Sequence, residues 1–124
     1  MPFQAQISQQ IELLQQFQRY SFAQTLNKAI ELMSVCLQQQ QPLLICGNGG
    51  SAADALQALQ KAKGLEMQTI ALTGEGGGKL TTVADILIEV PSQSTPRIQE
   101  LHLPVYHYLC EQVELNLSES ENVC

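Results

Sequence analysis

A short apolar run followed by a glycine-rich turn constrains this chain most strongly. Residues Leu43 to Gln57 read LLICGNGGSAADALQ, which places three glycines between an expected buried strand and an expected helix. The helix is predicted over Ser51 to Lys63, Gly64 marks its end, and MQTIALTG follows as a second apolar run. A strand, a helical crossover and a second strand make a right-handed βαβ unit with parallel strands. The pattern therefore predicts an α/β fold.

The segments on either side of this unit are predicted to complete a single domain that spans the whole chain. Apolar residues at helical spacing indicate N-terminal helices within 1–41. ADILIEVP indicates a third strand, which completes a βαβ core over 42–91. A C-terminal helix is predicted over 95–117, with Thr95 as its N-cap, Pro96 at its first position and a frayed polar tail behind it.

Charge and composition exclude several classes of protein. The net charge is −6 and only six Lys and Arg are present, which argues against a surface that binds nucleic acid. No apolar run is long enough to span a bilayer and the start lacks the pattern of a signal peptide, so we expect a soluble cytoplasmic protein. The four cysteines form no close pair, so neither a disulfide framework nor a zinc ribbon is predicted.

The glycine-rich loop has the features of an anion site. A loop that leaves a strand and opens a helix offers unpaired backbone N–H groups and the positive end of a helix dipole. Gly47, Gly49 and Gly50 let a ligand approach the backbone, while Asn48 and Ser51 add side-chain donors. A phosphate group is the expected ligand.

The glycine-rich segments have three other interpretations, of which the sequence supports only the first. Ser51 and Asp54 form a capping-box pattern, which would only stabilise the start of the helix but is compatible with ligand binding. A dinucleotide site would need an acidic residue at the end of the next strand, and none is there. The segment TGEGGGKL resembles a P-loop but carries Leu80 where a magnesium-binding Ser or Thr belongs.

Four segments, in their order along the chain, resemble the phosphoheptose isomerase family, whose members carry the sugar isomerase (SIS) domain: CGNGGSAADA, TIALTGEGGGKL, ADILIEVPS and RIQELHLPVYHYLCEQVE. The resemblance implies a flavodoxin-like αβα fold, homo-oligomers that are dimers or tetramers, and a phosphorylated sugar as ligand. It implies conversion of sedoheptulose 7-phosphate to D-glycero-D-manno-heptose 7-phosphate for lipopolysaccharide heptose, often with zinc. Two alternatives remain: an active isomerase whose unconventional site is assembled across subunits, and a non-catalytic scaffold or regulator, such as the relatives that bind the replication initiator protein.

The chain also departs from the family pattern. Family members carry two further strands and a second phosphate loop between the glycine loop and the strand that matches TIALTG. We therefore expect a small parallel sheet of about three strands, in which Leu43–Cys46 pairs with Thr69–Thr73. Without the second loop, affinity for a sugar phosphate should be reduced, since charge-assisted hydrogen bonds are lost.

Only half of the four positions that serve catalysis and metal binding in the family are retained. The resemblance assigns Gln99 to substrate and metal binding, and His107 to metal binding and acid–base catalysis. Gln57 and Lys61 stand where the family has a His and a Glu, and an ammonium group is a poor zinc ligand. Zinc is therefore doubtful, and catalysis is expected to be reduced or lost. Gln99 and His107 lie about 12 Å apart along a straight helix, so sharing an ion would need a kink at Pro104 or a second subunit.

Three polar residues of the last helix have non-catalytic interpretations. His107 could instead pack at a subunit interface. His102 receives no role from the resemblance and is interpreted as a polar or interface residue. Glu100 is expected to support the start of the helix, with a role as a substitute catalytic base as the alternative.

Overall fold

The architecture follows the chain order expected from the sequence. The computed structural model describes residues 2–19, 22–47 and 52–122. Its elements are α1 (Phe3–Arg19), α2 (Ala23–Gln38), β1 (Leu43–Gly47), α3 (Ala52–Gly64), β2 (Gln68–Thr73), a 3₁₀ helix (Gly78–Thr82), β3 (Ile86–Glu89) and α4 (Thr95–Asn122). In the described ranges, no helix has the length and apolarity needed to cross a membrane.

The three strands form one parallel sheet in the order β1-β2-β3. Leu44 lies opposite Thr69 and Cys46 opposite Ala71, so the predicted pairing of the first two strands is confirmed. The central strand β2 is buried at every residue after Gln68. Burial on both faces explains why this strand is a continuous apolar run with no alternation.

Two helical layers cover the sheet, so the predicted α/β fold with αβα layering is confirmed. Alternate side chains of β2 point to opposite faces. Ile70 and Leu72 belong to the main core cluster with α2 and α4, whereas Ala71 packs with Leu59 of α3 and Leu80 of the 3₁₀ helix. The sheet therefore separates α3 from α4, and only the two sheet edges and the strand ends allow the layers to meet.

The last helix differs from its predicted bounds. Ile98 N–H donates to the carbonyl of Ser94 at 2.8 Å, which makes Ser94, and not Thr95, the residue that precedes the helix. The tail predicted to fray after residue 117 is helical to Asn122. Its apolar residues explain the extension, because Leu117 packs against the main core cluster.

Pro104 does not interrupt α4, which runs on for eighteen residues beyond it. A proline removes one helical hydrogen bond and crowds the preceding turn, so other interactions must hold the helix. Leu101 and Val105, on either side of Pro104, are almost completely buried in two different core clusters. Near the start of α4, Arg97 and Glu100 form an ion pair at 2.9 Å one turn apart, which agrees with the supporting role expected for Glu100.

The packing around Gly74 makes a testable prediction. A β-carbon on Gly74 would lie 2.4 Å from Ile98 Cδ1 and 2.5 Å from the backbone oxygen of Ser92. That oxygen is held by the N–H of Glu75 at 2.8 Å, so it cannot move away freely. We expect Gly74→Ala to lower the free energy of unfolding by about 1–3 kcal/mol in urea titrations.

Gly64→Ala is the matched control for this substitution. A β-carbon at Gly64 would meet no described atom within 4 Å, and this last residue of α3 does not have a positive φ, so Ala can replace Gly without backbone strain. Its stability should equal or slightly exceed that of the unsubstituted chain. Equal stability of both variants would contradict the tight packing at Gly74.

Candidate functional site

The carboxyl ends of the three parallel strands define one edge of the sheet. Gly47 ends β1, Thr73 ends β2, and α4 begins a few residues after β3. Helix α3 begins at Ala52, directly after the glycine loop, so its N-terminus lies at the same edge. Open α/β sheets bind their ligands at this edge. The fold thus places the start of the predicted phosphate loop where ligands are expected.

Only part of the predicted phosphate loop can be described. Gly47 is a half-buried residue of β1 and lies opposite Leu72. Asn48, Gly49, Gly50 and Ser51 lie outside the described residues. The capping-box hypothesis, which needs Ser51, therefore stays a prediction.

The second glycine-rich segment is organised as a turn. Gly76, Gly77 and Gly78 all have positive φ, and a five-residue 3₁₀ helix follows. The N–H of Gly76 donates to the carboxylate of Glu89 at 3.1 Å. The Glu89 carboxylate thus occupies one of the N–H donors that a phosphate would need. The same hydrogen bond ties this tight turn to the end of β3.

His102 of α4 packs against the strand ends and was missed as a site residue. Its side chain is 3% exposed, and Nε2 lies 3.2 Å from the carbonyl oxygen of Thr73. The same oxygen accepts the N–H of Val90 at 2.9 Å, which uses both of its lone pairs. Because a carbonyl can only accept, we assign the proton to Nε2 and leave Nδ1 as an acceptor. The interpretation of His102 as an interface residue is corrected, since its contacts lie within the chain.

Tyr106 lies one turn further along α4, next to the same strand end. Its ring packs edge-to-face with that of His102, with ring centroids 6.2 Å apart. Burial, and to a lesser extent the neighbouring Cys46 thiol, raise the pKa of Tyr106. Burial also raises the pKa of Cys46. Both groups therefore keep their protons at neutral pH, and Cys46 is a poor nucleophile.

The absence of a side chain at Gly47 allows these groups of α4 to pack closely against the end of β1. A β-carbon there would lie 3.1 Å from the hydroxyl oxygen of Tyr106, 3.3 Å from the carbonyl oxygen of Leu72 and 3.6 Å from Nδ1 of His102. Two polar side-chain atoms of α4 therefore converge on one point beside the last residue of β1. Sequence spacing could have indicated this pair, because residues four apart on a helix share a face.

The two site residues transferred from the family lie about 80° apart around α4, since eight residues separate them. Gln99 and His107 are both exposed. Gln99 precedes His102 by three residues and so shares the side of the helix that carries His102 and Tyr106. His107 follows His102 by five residues, which turns it about 140° away around the helix. The helix thus places Gln99, but not His107, on the side that faces Gly47.

The residues present do not fit a zinc site within one chain. Gln57 and Lys61 are exposed on α3, on the opposite face of the sheet from α4. The four positions would supply two amides, one imidazole and one ammonium group, of which only the imidazole is a common zinc ligand. Within the ranges that the structure covers, no three His, Cys, Asp or Glu side chains are grouped to hold a metal ion.

Comparison with known proteins finds chains of similar sequence. A family model described as the SIS domain matches residues 6–65, which include β1, the glycine loop and α3. The phosphoheptose isomerase of Helicobacter pylori strain 26695 is 36% identical over 95 residues, which cover 77% of this chain and 48% of that protein. The phosphoheptose isomerase of Rhodospirillum rubrum is 43% identical over 72 residues, 58% of this chain and 38% of that protein. This chain is a homologue of the SIS-domain phosphoheptose isomerases.

Solved structures show the same fold. A phosphoheptose isomerase from Francisella tularensis superposes with a TM-score of 0.76 at 22% identity, over 93% of this chain and 100% of that chain. One from Neisseria gonorrhoeae gives a TM-score of 0.74 at 25% identity, over 88% of this chain and 96% of that chain. This chain nevertheless spans about half the length of the curated relatives it matches.

Burial of His102 predicts a pH-dependent stability. Burial lowers the pKa of His102 below its ordinary value of 6.5, and the hydrogen bond to Thr73 opposes part of this shift. The unfolded chain then binds more protons than the folded chain between the two pKa values. The contribution of His102 to stability is therefore complete above the ordinary value of 6.5 and is lost as the pH falls from there through the folded pKa.

The variant His102→Gln provides the comparison, because its amide can still donate to Thr73 but does not titrate. We expect its free energy of unfolding, measured by urea titration between about pH 7 and pH 5, to fall less steeply than that of the unsubstituted chain. Parallel curves for the two proteins would show that His102 does not titrate as its burial requires.

Proposed function

We propose that this chain binds a phosphorylated sugar at the carboxyl end of β1. The observation that carries the proposal is that β1 ends at Gly47 and the 13-residue helix α3 begins at Ala52, so that both lie at the carboxyl edge of the sheet. The SIS-domain match supports it, since residues 6–65 contain that whole segment. The names of the relatives support a sugar phosphate as the class of ligand.

Local groups must attract the anion, because the chain as a whole repels it. The net charge is −6, so a phosphate dianion gains nothing from long-range attraction. The N-terminus of α3, a helix of 13 residues, supplies N–H donors and a partial positive charge to the loop before it. Asn48 and Ser51 would add side-chain donors. Binding is therefore expected to be weaker than in a site with two phosphate loops.

We further propose that catalysis is reduced or lost. Aldose–ketose isomerisation needs a base that removes a proton beside the carbonyl and an acid that protonates the oxygen. Gln57 cannot accept a proton, and Lys61 would first have to lose one. His107 is the remaining acid–base candidate, and it projects from a different side of α4 than the pair that faces Gly47. Ligand binding without efficient turnover is the expected activity.

The surface of α1 favours assembly of several copies, and it also favours a second candidate function. Four apolar side chains recur along one side of the helix and remain 38–72% exposed: Phe3, Ile7, Ile11 and Leu14. A stripe of this kind normally packs against another helix. We propose a dimer or tetramer that buries it. The second candidate is a non-catalytic scaffold, in which the stripe binds another protein, such as a replication initiator.

Calorimetric titration with sedoheptulose 7-phosphate tests the proposed ligand. The unsubstituted chain should bind, and Ser51→Ala should lower the affinity about tenfold, the effect of losing a hydrogen bond to a charged group. Ser118→Ala, an exposed serine of α4, should leave the affinity unchanged. Absence of binding would refute the sugar-phosphate proposal.

The same ligand tests the catalytic proposal when isomerisation is followed with and without zinc. We expect turnover far below that of a full-length phosphoheptose isomerase measured in parallel, and no large gain on adding zinc. Turnover equal to that of the full-length enzyme would contradict the proposed loss of catalysis.

Light scattering during gel filtration tests the assembly. The unsubstituted chain should elute as a dimer or tetramer, and Ile11→Glu should shift it to a smaller species because a charge then lies within the apolar stripe. Gln9→Glu adds the same charge at an exposed polar position of α1 and should change nothing. A monomeric unsubstituted chain would refute self-assembly and would favour the scaffold candidate.

A further inference from the structure

Strand β1 leaves one edge of the sheet open, and neither the sequence nor the family resemblance assigned this edge a role. We propose that a second copy of the chain pairs with β1 along this edge, so that two three-stranded sheets join into one continuous sheet of six strands. The inference is independent of ligand binding, and it adds a second interface to the one proposed for the apolar stripe of α1.

The hydrogen-bonding capacity of β1 is used on one side only. Within the described residues, the strand pairs with β2 and no other strand lies beside it. In a parallel ladder, alternate residues direct their N–H and C=O groups to the partner strand, and the residues between them direct theirs away from it. All five residues of Leu43–Gly47 are half-buried, which fits a strand with one open edge. An extended backbone is the partner that completes such an edge.

The two edges of the sheet differ in their protection. Natural proteins block open edges with charged residues, proline or bulges. Strand β3 has an acidic residue at each end, since Asp85 precedes it and Glu89 is its last residue. Strand β1 has the sequence LLICG, without a charge or a proline. The unprotected edge is therefore the one that can accept a further strand.

One side of α4 extends the open edge into a surface. Tyr106 packs beside the end of β1, with its hydroxyl oxygen 3.1 Å from the β-carbon position of Gly47. Leu103, three residues earlier, and Cys110, four residues later, share its side of the helix. Leu103 is 57% exposed, and Tyr106 and Cys110 are exposed as well. The three residues form an uncharged strip, which we call the α4 strip.

The position of α2 shows that the α4 strip lies towards the open edge. Helix α2 packs against β3, at the far side of the sheet from β1. Tyr108 and Gln112 line the groove between α2 and α4. Tyr108 follows Tyr106 by two residues, which turns it about 200° around the helix. The side of α4 that carries the strip is therefore turned away from α2 and towards the edge of β1.

A second copy of the chain matches this surface. A lone peptide strand would pair with β1 and leave the α4 strip exposed, whereas a second copy supplies a strand and a helix at the same spacing. An antiparallel pair of identical strands has a two-fold axis perpendicular to the sheet, so each copy makes the same hydrogen bonds and the two α4 strips meet. The net charge of −6 opposes self-association in general, but the edge and the strip carry no charge.

The size of the surface fits a dimer that dissociates on dilution. Five residues of strand span about 17 Å, and a sheet with a helix on each face is about 30 Å thick. A flat surface of these dimensions measures about 500 Å² per copy, against about 800 Å² per partner in a standard interface. We therefore expect association that depends on protein concentration.

The first test starts from the Ile11→Glu chain, in which the stripe of α1 is disrupted. Leu103→Glu is added to place a charge in the α4 strip, and Leu115→Glu is the matched control. Leu115 is 54% exposed and lies nine residues after Tyr106, on the opposite side of α4. Light scattering during gel filtration should show a dimer for Ile11→Glu. Its dissociation constant should rise about tenfold or more with Leu103→Glu and stay within about twofold with Leu115→Glu.

Amide hydrogen exchange, followed by NMR, tests the strand pairing itself. The N–H groups of β1 that point away from β2 exchange quickly in a monomer and slowly when a second strand accepts them. At alternate residues of β1, exchange in the Ile11→Glu dimer should be at least about tenfold slower than in its Leu103→Glu derivative. The amides of β3 serve as the control and should exchange equally in both chains.

Each outcome supports or overturns the inference, and none of them bears on ligand binding. A monomeric Ile11→Glu chain at NMR concentrations would mean that no second copy pairs with β1, and a dimer that Leu103→Glu leaves unchanged would place the interface elsewhere. A dimer with unchanged exchange in β1 would show association through α4 alone, which also overturns strand pairing. If Ile11→Glu is unfolded by circular dichroism, the unsubstituted chain replaces it, and Leu103→Glu, but not Leu115→Glu, should halve the mass of the assembly.

Discussion

The burial of β2 is the constraint on which the rest of the molecule depends. Every residue of this strand from Thr69 to Thr73 is buried, with a strand on each side and a helical layer on each face. At its start, the carboxylate of Asp85 accepts the N–H of Thr69 at 2.9 Å, which ties β2 to the beginning of β3. At its end, the carbonyl of Thr73 accepts both Val90 and His102. Hydrogen bonds at both ends of β2 therefore position β3 and α4 against this strand.

This constraint explains what the sequence could predict. The apolar run of β2, the glycines and prolines around it and the helical spacing of the flanking segments each indicate an element independently, and all agree with one parallel βαβ unit. The pairing of Leu43–Cys46 with Thr69–Thr73 followed because a helical crossover of this length leaves little choice. The ends of helices were harder to predict where tertiary packing determines them. At the end of α4, the polar residues did not indicate that Leu117 packs against the main core cluster.

The candidate site could be predicted only in part, for a physical reason. Residues that act through a local pattern, such as the loop that starts at Gly47, are recognisable from their neighbours in sequence. His102 and Tyr106 act through contacts with strand ends more than 25 residues away, which no local pattern contains. One signal was available: His102 lies four residues after Ile98 and three before Val105, on the apolar face of α4. A histidine on such a face must be buried with a hydrogen-bond partner.

The candidate site draws on two helical layers. The substitutions at the family's catalytic positions all lie in one of them, the layer of α3. The proposed phosphate site depends on the loop between β1 and α3, and α3 lies on one face of the sheet, whereas Gln99, His102 and Tyr106 come from α4 on the other face. The positions of α3 that the family resemblance assigns to catalysis carry Gln57 and Lys61 here, and neither supplies an imidazole or a carboxylate. The layer of α4 has kept its polar groups. Under the proposed function, the loop before α3 would bind the phosphate, while proton transfer would lack the acid–base groups that the family resemblance assigns to α3.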